Sequence, residues 1–392
     1  MPRLKTYLEG NQLKFQVNKD VLNEAVSFAV RLLPQRTTLP ILSGILIEAD
    51  ANNLRLSVFD YDTSAQVEIA AKVEQSGRVL VSGRLLAEIV NKLPNSVVDF
   101  VTDGSKVQVN CGSAKFSLLT MPIDEYPTLP EIPETSGQVS GEDFASAISQ
   151  ISVAASKEDV TPVLTTVLLE TSSENISLVA TDRYRVAVQD IPWKSKTSGA
   201  NQTALIPAKT LQEIAKTFAN QGEVSISINP SDEKDLIAFK ANNRSVTSRL
   251  IKGNFPAVKT LFPEKIENFA IINTQDLLDS TKRVSLVLER ESPIKYVFSS
   301  TSLNLEAARG ETAQASESID VQITGPDVTV SLKPQFLIDG LAGVKTEFVK
   351  IGFTNSDNPN RPSPVLITNH QAKEKSASDS YMYLLQPNLL GR

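Results

Sequence analysis

The amino-acid sequence predicts an α+β protein made of three tandem copies of one domain, each a sheet covered on one face by two helices. Three observations carry that expectation. The chain has 392 residues, too many for one ordinary compact core. Helical and strand periodicities alternate in blocks along it. The blocks recur at a spacing of about 125 residues, far above the few tens of residues of a solenoid repeat.

The first helix is read from NKDVLNEAVSFAVRLL, where Val21, Leu22, Ala25, Phe28, Ala29 and Leu32 share one face at helical spacing. Strands follow where side chains alternate with period two, as in LRLSVFD and KVQVN. The second helix is SGRLLAEIVNKL at 82–93, which aligns without a gap on PAKTLQEIAKTF at 207–218. Arg84 then matches Lys209, Glu88 matches Glu213, Ile89 matches Ile214 and Leu93 matches Phe218. A weaker third copy, KPQFLIDGLAGV at 333–344, keeps Leu337 and Leu341. The opening helix recurs as SGEDFASAISQISVAAS and NTQDLLDSTKRVSLVL.

A strand block repeats as LPILSGILIEADANNLRLSVFDYD from Leu39, TPVLTTVLLETSSENISLVATDRY from Thr161 and SPIKYVFSSTSLNLEAARGE from Ser292. Another repeats as FSLLTMPIDEYPTLP from Phe116 and VTSRLIKGNFPAVKTLFP from Val246. Pro-rich connections, LPEIPETSG and LFPEKIEN, fall where copies join and place the domains near 1–134, 135–264 and 265–392.

The composition, 41% hydrophobic and 21% charged, is that of a soluble globular protein. No apolar run is long enough to span a bilayer, and MPRLKTYLEGNQLKF lacks the apolar core of a secretory signal, so a cytoplasmic protein without a membrane partner is expected. The lone Cys111 excludes an internal disulfide framework and a multi-thiolate metal site. The lone His370, placed on a solvated loop, leaves little material for acid–base or zinc chemistry. With no Gly-rich phosphate loop or nucleophile elbow, no cofactor, metal or catalytic residue is expected.

A net charge of −6 argues against gripping nucleic acid by bulk positive charge, so charge has to be read by position. One helix with Arg84, Glu88, Asn91 and Lys92 on its polar side reads as an ordinary solvated face. The return of a cation at the start of its copy, with Lys209, Gln212, Glu213 and Lys216, favours a shared task.

The segments VFDYD and ATDRY put Asp60 and Asp182 at the same place in copies one and two, which favours a common turn role over catalysis. The next residues diverge: Tyr61, Asp62 and Thr63 in one copy, Arg183, Tyr184 and Arg185 in the other. A special role therefore belongs to the second copy. An acid–base cluster of Asp182, Tyr184 and Arg185 is the enzymatic alternative, with no metal, cofactor motif or nucleophile beside it.

Taken together and in this order, QRTTLPILSGILIEA, VSGRLLAEIVNKLP, FSLLTMPIDEYPTLP, VATDRYRVA, NFPAVKTLFP and the terminal YLLQPNLL resemble the bacterial beta sliding clamp family, the beta subunit of the replicative DNA polymerase holoenzyme. The resemblance covers essentially the whole chain. It implies the DNA-clamp fold: a head-to-tail homodimer closed into a six-domain ring around duplex DNA, with helices lining the hole. It further implies a processivity factor that slides without base readout, tethers the replicative DNA polymerase and depends on a separate clamp-loader ATPase.

Carried over by position, the resemblance gives Arg36, Arg84 and Lys209 to DNA. It gives Phe116 and Leu118, facing Leu286 and Val287, to the dimer seam. It makes the Asp182 turn one wall of a peptide pocket between the second and third domains. Leu164, Thr181, Arg183, Tyr184, Arg185, Val186, Pro256 and Leu261 fall on its second-domain side. Lys333, Phe336, Pro364, Leu384, Leu385, Gln386, Pro387, Asn388 and Leu390 fall on its third-domain side. The implied occupants are short peptides of polymerases, the clamp loader and repair proteins, usually a glutamine followed by aliphatic and aromatic residues.

The chain departs from the family pattern at Arg183 and Tyr184, where glycine and histidine are common, and at Lys333, where asparagine is usual. Methionines and a basic residue are usual where Gln386, Asn388 and Leu389 stand. These departures leave open a specialised paralogue that serves a repair polymerase or confers drug resistance. A charge at position 385, in Leu385→Asp, is expected to abolish peptide binding and spare the dimer.

Overall fold

A computed structural model describes residues 13–33, 39–158, 160–196, 201–229, 235–289, 292–354, 363–370 and 380–388. The chain divides into two compact units, Met1–Gln138 with Lys216–Arg249, and Val139–Ala215 with Leu250–Arg392.

In the first unit an antiparallel run of strands begins with Glu223–Asn229, Leu236–Ala241 and Arg244–Arg249, and continues through Thr63–Ala70, Asn53–Phe59, Gly44–Asp50 and Gly77–Ser82. It then passes through Ala114–Met121, Lys106–Cys111, Val97–Asp103 and Lys14–Asn18 to Lys72–Gln75. Helices α1 (Lys19–Arg31) and α2 (Gly83–Lys92) pack on one another. Asn18 starts α1 by accepting the Asp20 N–H, satisfying one of the donors that a helix N-terminus leaves open.

The buried stripe of α1 holds Leu22, Ala25, Val26, Phe28 and Ala29. Val21 is exposed and Leu32 half-buried, so the stripe is rotated from the expected one and centred on Leu22, Val26 and Ala29, spaced i, i+4, i+7. From α2, Leu86, Ile89 and Val90 enter the core.

The second unit holds a nine-stranded antiparallel sheet in the order Thr203–Pro207, Thr166–Thr171, Asn175–Thr181, Arg185–Pro192, Met382–Leu385, Val365–His370, Phe348–Phe353, Asn268–Asn273 and Gln322–Thr324. A smaller sheet runs Ala313–Asp320, Ser302–Arg309, Ile294–Phe298, Val328–Leu332. Its helices include α3 (Gly141–Ile151), α5 (Thr274–Ser285) and α6 (Pro334–Ala342), and α4 spans Ala208–Phe218. Leu337 and Leu341 of α6 are buried, as their match to α2 requires.

Six α-helices are present among the described residues, two for each sequence copy. His370 is not on a loop. It closes the Val365–His370 strand opposite Phe348, half-buried, and its N–H donates to Thr346 Oγ1 at 3.1 Å. Backbone pairing there continues through side chains whose polarity had pointed to a loop.

Candidate functional site

Two hairpin turns are built alike. In the first copy Asp60 Oδ1 accepts the N–H groups of Asp62 and Thr63 at 3.1 and 2.6 Å. In the second, Asp182 Oδ1 accepts those of Tyr184 and Arg185 at 3.0 and 3.1 Å. The residue after each acid is left-handed, Tyr61 at φ 74° and Arg183 at φ 79°. Both acids hold a turn that glycine would otherwise be needed to make. Asp182 is thus a backbone anchor, in the turn role it shares with Asp60. Arg183 reaches away through Nη2 to Thr161 Oγ1 at 2.8 Å.

Arg185 is the second copy's own addition. Its side chain is 4% exposed and pairs through Nε with Asp182 Oδ2 at 2.9 Å and through Nη1 with Asp339 Oδ2 of α6 at 2.6 Å. Nη1 also donates to the Tyr383 hydroxyl at 3.2 Å, and the guanidinium lies 4.3 Å from the Phe336 ring centroid. Burial pushes the Tyr383 phenol well above its usual pKa, so it stays neutral and donates onward to the Phe336 carbonyl at 2.8 Å. Thr181 donates its hydroxyl to the Arg185 carbonyl at 2.7 Å. Thr181 and Arg185 are therefore committed to internal partners, and they position the turn rather than offer it donors.

Gly340 of α6 stands where α2 and α4 carry Ile89 and Ile214. A Cβ there would come within 2.6 Å of the Tyr383 ring, so the close approach of helix to tail strand requires glycine.

The Met382–Leu385 strand lies between the Arg185–Pro192 and Val365–His370 strands, with Leu384 opposite both Val186 and Leu366. Gln386 N–H donates to the Tyr184 carbonyl at 2.9 Å and Asn388 N–H to that of Ser331 at 2.8 Å. Alternation sends Tyr383 and Leu385 to one face and Leu384 to the other. On the Leu384 face, Val179, Val186, Val188, Val258, Leu366 and Leu384 form an apolar cluster with Phe255 and Phe262 against it. Tyr184 and Leu261, each 58% exposed, and Pro256 stand out nearby.

Leu385 is fully buried on the strand face opposite Leu384, so it belongs to the interior and not to this groove. A charge there disrupts the fold first, contrary to the expected selective loss of peptide binding. Leu164 and Pro387 are buried, and Pro364 is half-buried with its carbonyl accepting from Thr354 Oγ1 at 2.9 Å. Arg36 and Leu390 lie outside the described residues.

Lys333, at the N-terminus of α6, holds its Nζ 5.6 Å from the Tyr184 ring centroid and 5.3 Å from that of Phe336; the two rings are 6.2 Å apart. Asp339, Tyr383, Val179, Val258 and Leu366 were not anticipated. Strand alternation was a usable signal for Val179 and Leu366, whereas Val258 lies in a short 3-10 helix, Val258–Leu261, and no sequence pattern announces the long-range partners of a buried arginine.

Three family models for the DNA polymerase III beta subunit match this chain consecutively: the N-terminal domain at 13–130, the central domain at 138–257 and the C-terminal domain at 259–383. The beta sliding clamp of Streptomyces coelicolor is 42% identical over 376 residues, covering 96% of this chain and 99% of that one. The chain belongs to the beta sliding clamp family. The beta sliding clamp homolog GriR of Streptomyces muensis is 37% identical over 96% of this chain and 99% of its own length. The crystal structure of the DNA polymerase sliding clamp from Bacillus subtilis superposes with a TM-score of 0.88 at 27% identity, over 97% of this chain and 100% of that one. Three tandem clamp domains thus account for the repeat.

In this clamp-family chain Arg84 and Lys209 are each the second residue of their helix, α2 and α4, and both are exposed. Lys209 lines a cleft of about 420 Å³ with Ser152, Lys157, Thr165 and Gln212. The third copy has Gln335 at this position of α6.

The Ala114–Met121 strand pairs fully with Lys106–Cys111 but meets Gly77–Ser82 only at Thr120 and Met121, so among the described residues its 114–119 stretch has one open edge. Phe116 is exposed there. Leu118 is 3% exposed and belongs to the core, while its neighbour Leu119, 69% exposed, is the outward leucine. The expected pair followed one parity of the strand and so missed Leu119. Leu286, just past α5, is exposed and Val287 half-buried.

No helix among the described residues is long and apolar enough to cross a membrane.

Proposed function

We propose that this chain is a DNA sliding clamp, a homodimeric ring that encircles duplex DNA and tethers the replicative polymerase for processive synthesis. The observation that carries the ring is a pair of strand edges left unpaired among the described residues. The 114–119 edge offers Phe116 and Leu119, and the Ala313–Asp320 edge strand packs on α5, where Arg283 pairs with Glu317 of that strand and the exposed Leu286 caps the helix end. Joining the two edges between chains, head to tail, removes both from solvent, as a closed sheet must. The domains are bounded near 134 and 264, and the chain acts in the cytoplasm as a processivity factor without chemistry of its own.

Arg36, Arg84 and Lys209 supply a modest cationic lining on a body of net charge −6. That weakness suits sliding: a protein that neutralises six to ten phosphates loses roughly 10³–10⁵ in affinity between 50 and 200 mM salt, whereas a closed ring holds DNA by topology. A clamp-loader ATPase opens the ring. The apolar groove beside the Asp182 turn receives short peptides of polymerases, loader and repair proteins, their apolar side chains on Val186, Leu384 and Val258.

The test is to load the protein on nicked circular DNA with a clamp loader and ATP, isolate the complex by gel filtration and linearise the DNA. Retention on circles with loss from linear ends is the expected result. Equal retention on both forms overturns topological linkage.

A specialised paralogue is the second reading, favoured by Arg183, Tyr184 and Lys333 at the groove and by likeness to a relative itself called a clamp homolog. Growth of cells carrying this chain as their only clamp opposes it; failure of such cells beside a working resident clamp supports it.

A further inference from the structure

One wall of the groove is the single 3-10 turn Val258–Leu261. Val258 is buried in the cluster with Val179, Val186 and Leu384, while its neighbours Pro256, Ala257, Lys259, Thr260 and Leu261 are exposed. The backbone bonds that shape the turn are local: Val258 N–H donates to the Pro256 carbonyl at 2.7 Å and Phe262 N–H to that of Lys259 at 3.3 Å. A segment with so few buried contacts opens easily unless a side chain ties it down.

Lys259 is that side chain. Its Nζ pairs with Glu170 and donates to Ser177 Oγ at 2.7 Å. Glu170 and Ser177 lie directly opposite one another on neighbouring strands, and the pair two residues along on the same face is Leu168 with Val179. The turn thus sets Val258 in the cluster that holds the apolar pair, and Lys259 on the polar pair beside it. The first copy does without this device. Its segment YPTLP is shorter than FPAVKTLFP and has no counterpart of Lys259, and Arg55 stands where the second copy has Ser177. Arg55 stays within the sheet, paired with Glu68 at 2.7 Å. Tyr126 anchors the first copy's segment by accepting the Phe59 N–H at 2.8 Å, and its match, Phe255, has no hydroxyl with which to do so.

We propose that Lys259 is a positioning residue for peptide binding: by tying the Val258–Leu261 turn to Glu170 and Ser177, it holds Val258 in the floor of the groove before a peptide arrives. The proposal rests on the peptide-binding reading of the groove and adds to it the residue that keeps this wall in place. Lys259 acts through the turn, not by contact with the peptide. Its contribution is pre-organisation, since a wall already in place need not be ordered at the moment of binding.

The test titrates the full-length protein into a fluorescent peptide carrying a glutamine–leucine–phenylalanine anchor, read by anisotropy, with urea unfolding of each variant alongside. An exposed ion pair is worth little by itself, so Lys259→Met and Glu170→Gln are each expected to weaken binding roughly three- to fivefold, with the urea midpoint unchanged. The double variant should lose no more than the larger single loss, because both changes remove one contact. Lys259→Arg should restore binding, and so should the exchange of Lys259→Glu with Glu170→Lys. Parent-like binding by Lys259→Met overturns the positioning role and leaves the groove standing. A loss that neither the exchange nor Lys259→Arg recovers, or one matched by a fall in the urea midpoint, also overturns that role. No binding of the peptide by the parent protein overturns the peptide reading of the groove itself.

Discussion

The joint between the first two sequence copies and the joint between the last two are the same construction with different side chains. In the first unit the Thr63–Ala70 strand pairs with Arg244–Arg249, and Arg249 N–H donates to the Asp62 carbonyl at 2.7 Å. In the second, Arg185–Pro192 pairs with Met382–Leu385, and Gln386 N–H donates to the Tyr184 carbonyl at 2.9 Å. Both strands follow an aspartate-held turn with a left-handed residue.

The side chains then part company. The first joint is closed by small hydroxyls, with Ser64 and Thr247 2.6 Å apart. The second carries a buried arginine, two carboxylates, two tyrosines and an apolar face. A repeated backbone therefore marks the scaffold, and the residues that only one copy has mark the site.

The largest disturbance of this contrast is Arg185→Ala. It leaves Asp182 and Asp339 half-buried without their cation, and destabilisation by about 3–5 kcal/mol is expected in urea unfolding. Thr63→Ala at the matching position, which removes no charge, should change stability far less. Next comes Gly340→Ala, whose Cβ must displace Tyr383 or α6; a loss of about 1–3 kcal/mol is expected in the same measurement. Smallest are Tyr61→Gly and Arg183→Gly. Each relieves one left-handed residue, so each should stabilise by up to about 1 kcal/mol, and by similar amounts if the turns are equivalent. A gain at Tyr61 alone would mean that the Arg183–Thr161 contact offsets the strain.

Much of this was legible in the sequence because repeats carry it. The match of Asp60 to Asp182 foretold a shared turn, and the match of α2 to α6 foretold buried Leu337 and Leu341. What was not legible depends on contacts distant in sequence. Leu385 reads like Leu384 in YLLQ, and only pairing on both sides of the tail strand shows that they face opposite ways. Arg185 reads as a surface cation until Asp339, 154 residues on, is seen to meet it. Phe116, Leu118 and Leu119 all fit an edge strand, and the covering of the sheet decides which are outward.

The most direct test of a site confined to the second joint is hydrogen exchange with and without a saturating anchor peptide. Slowed exchange is predicted at residues 181–188 and 382–388, with 60–67 and 244–249 unchanged. Equal protection of both joints, or protection of the first alone, would contradict the account.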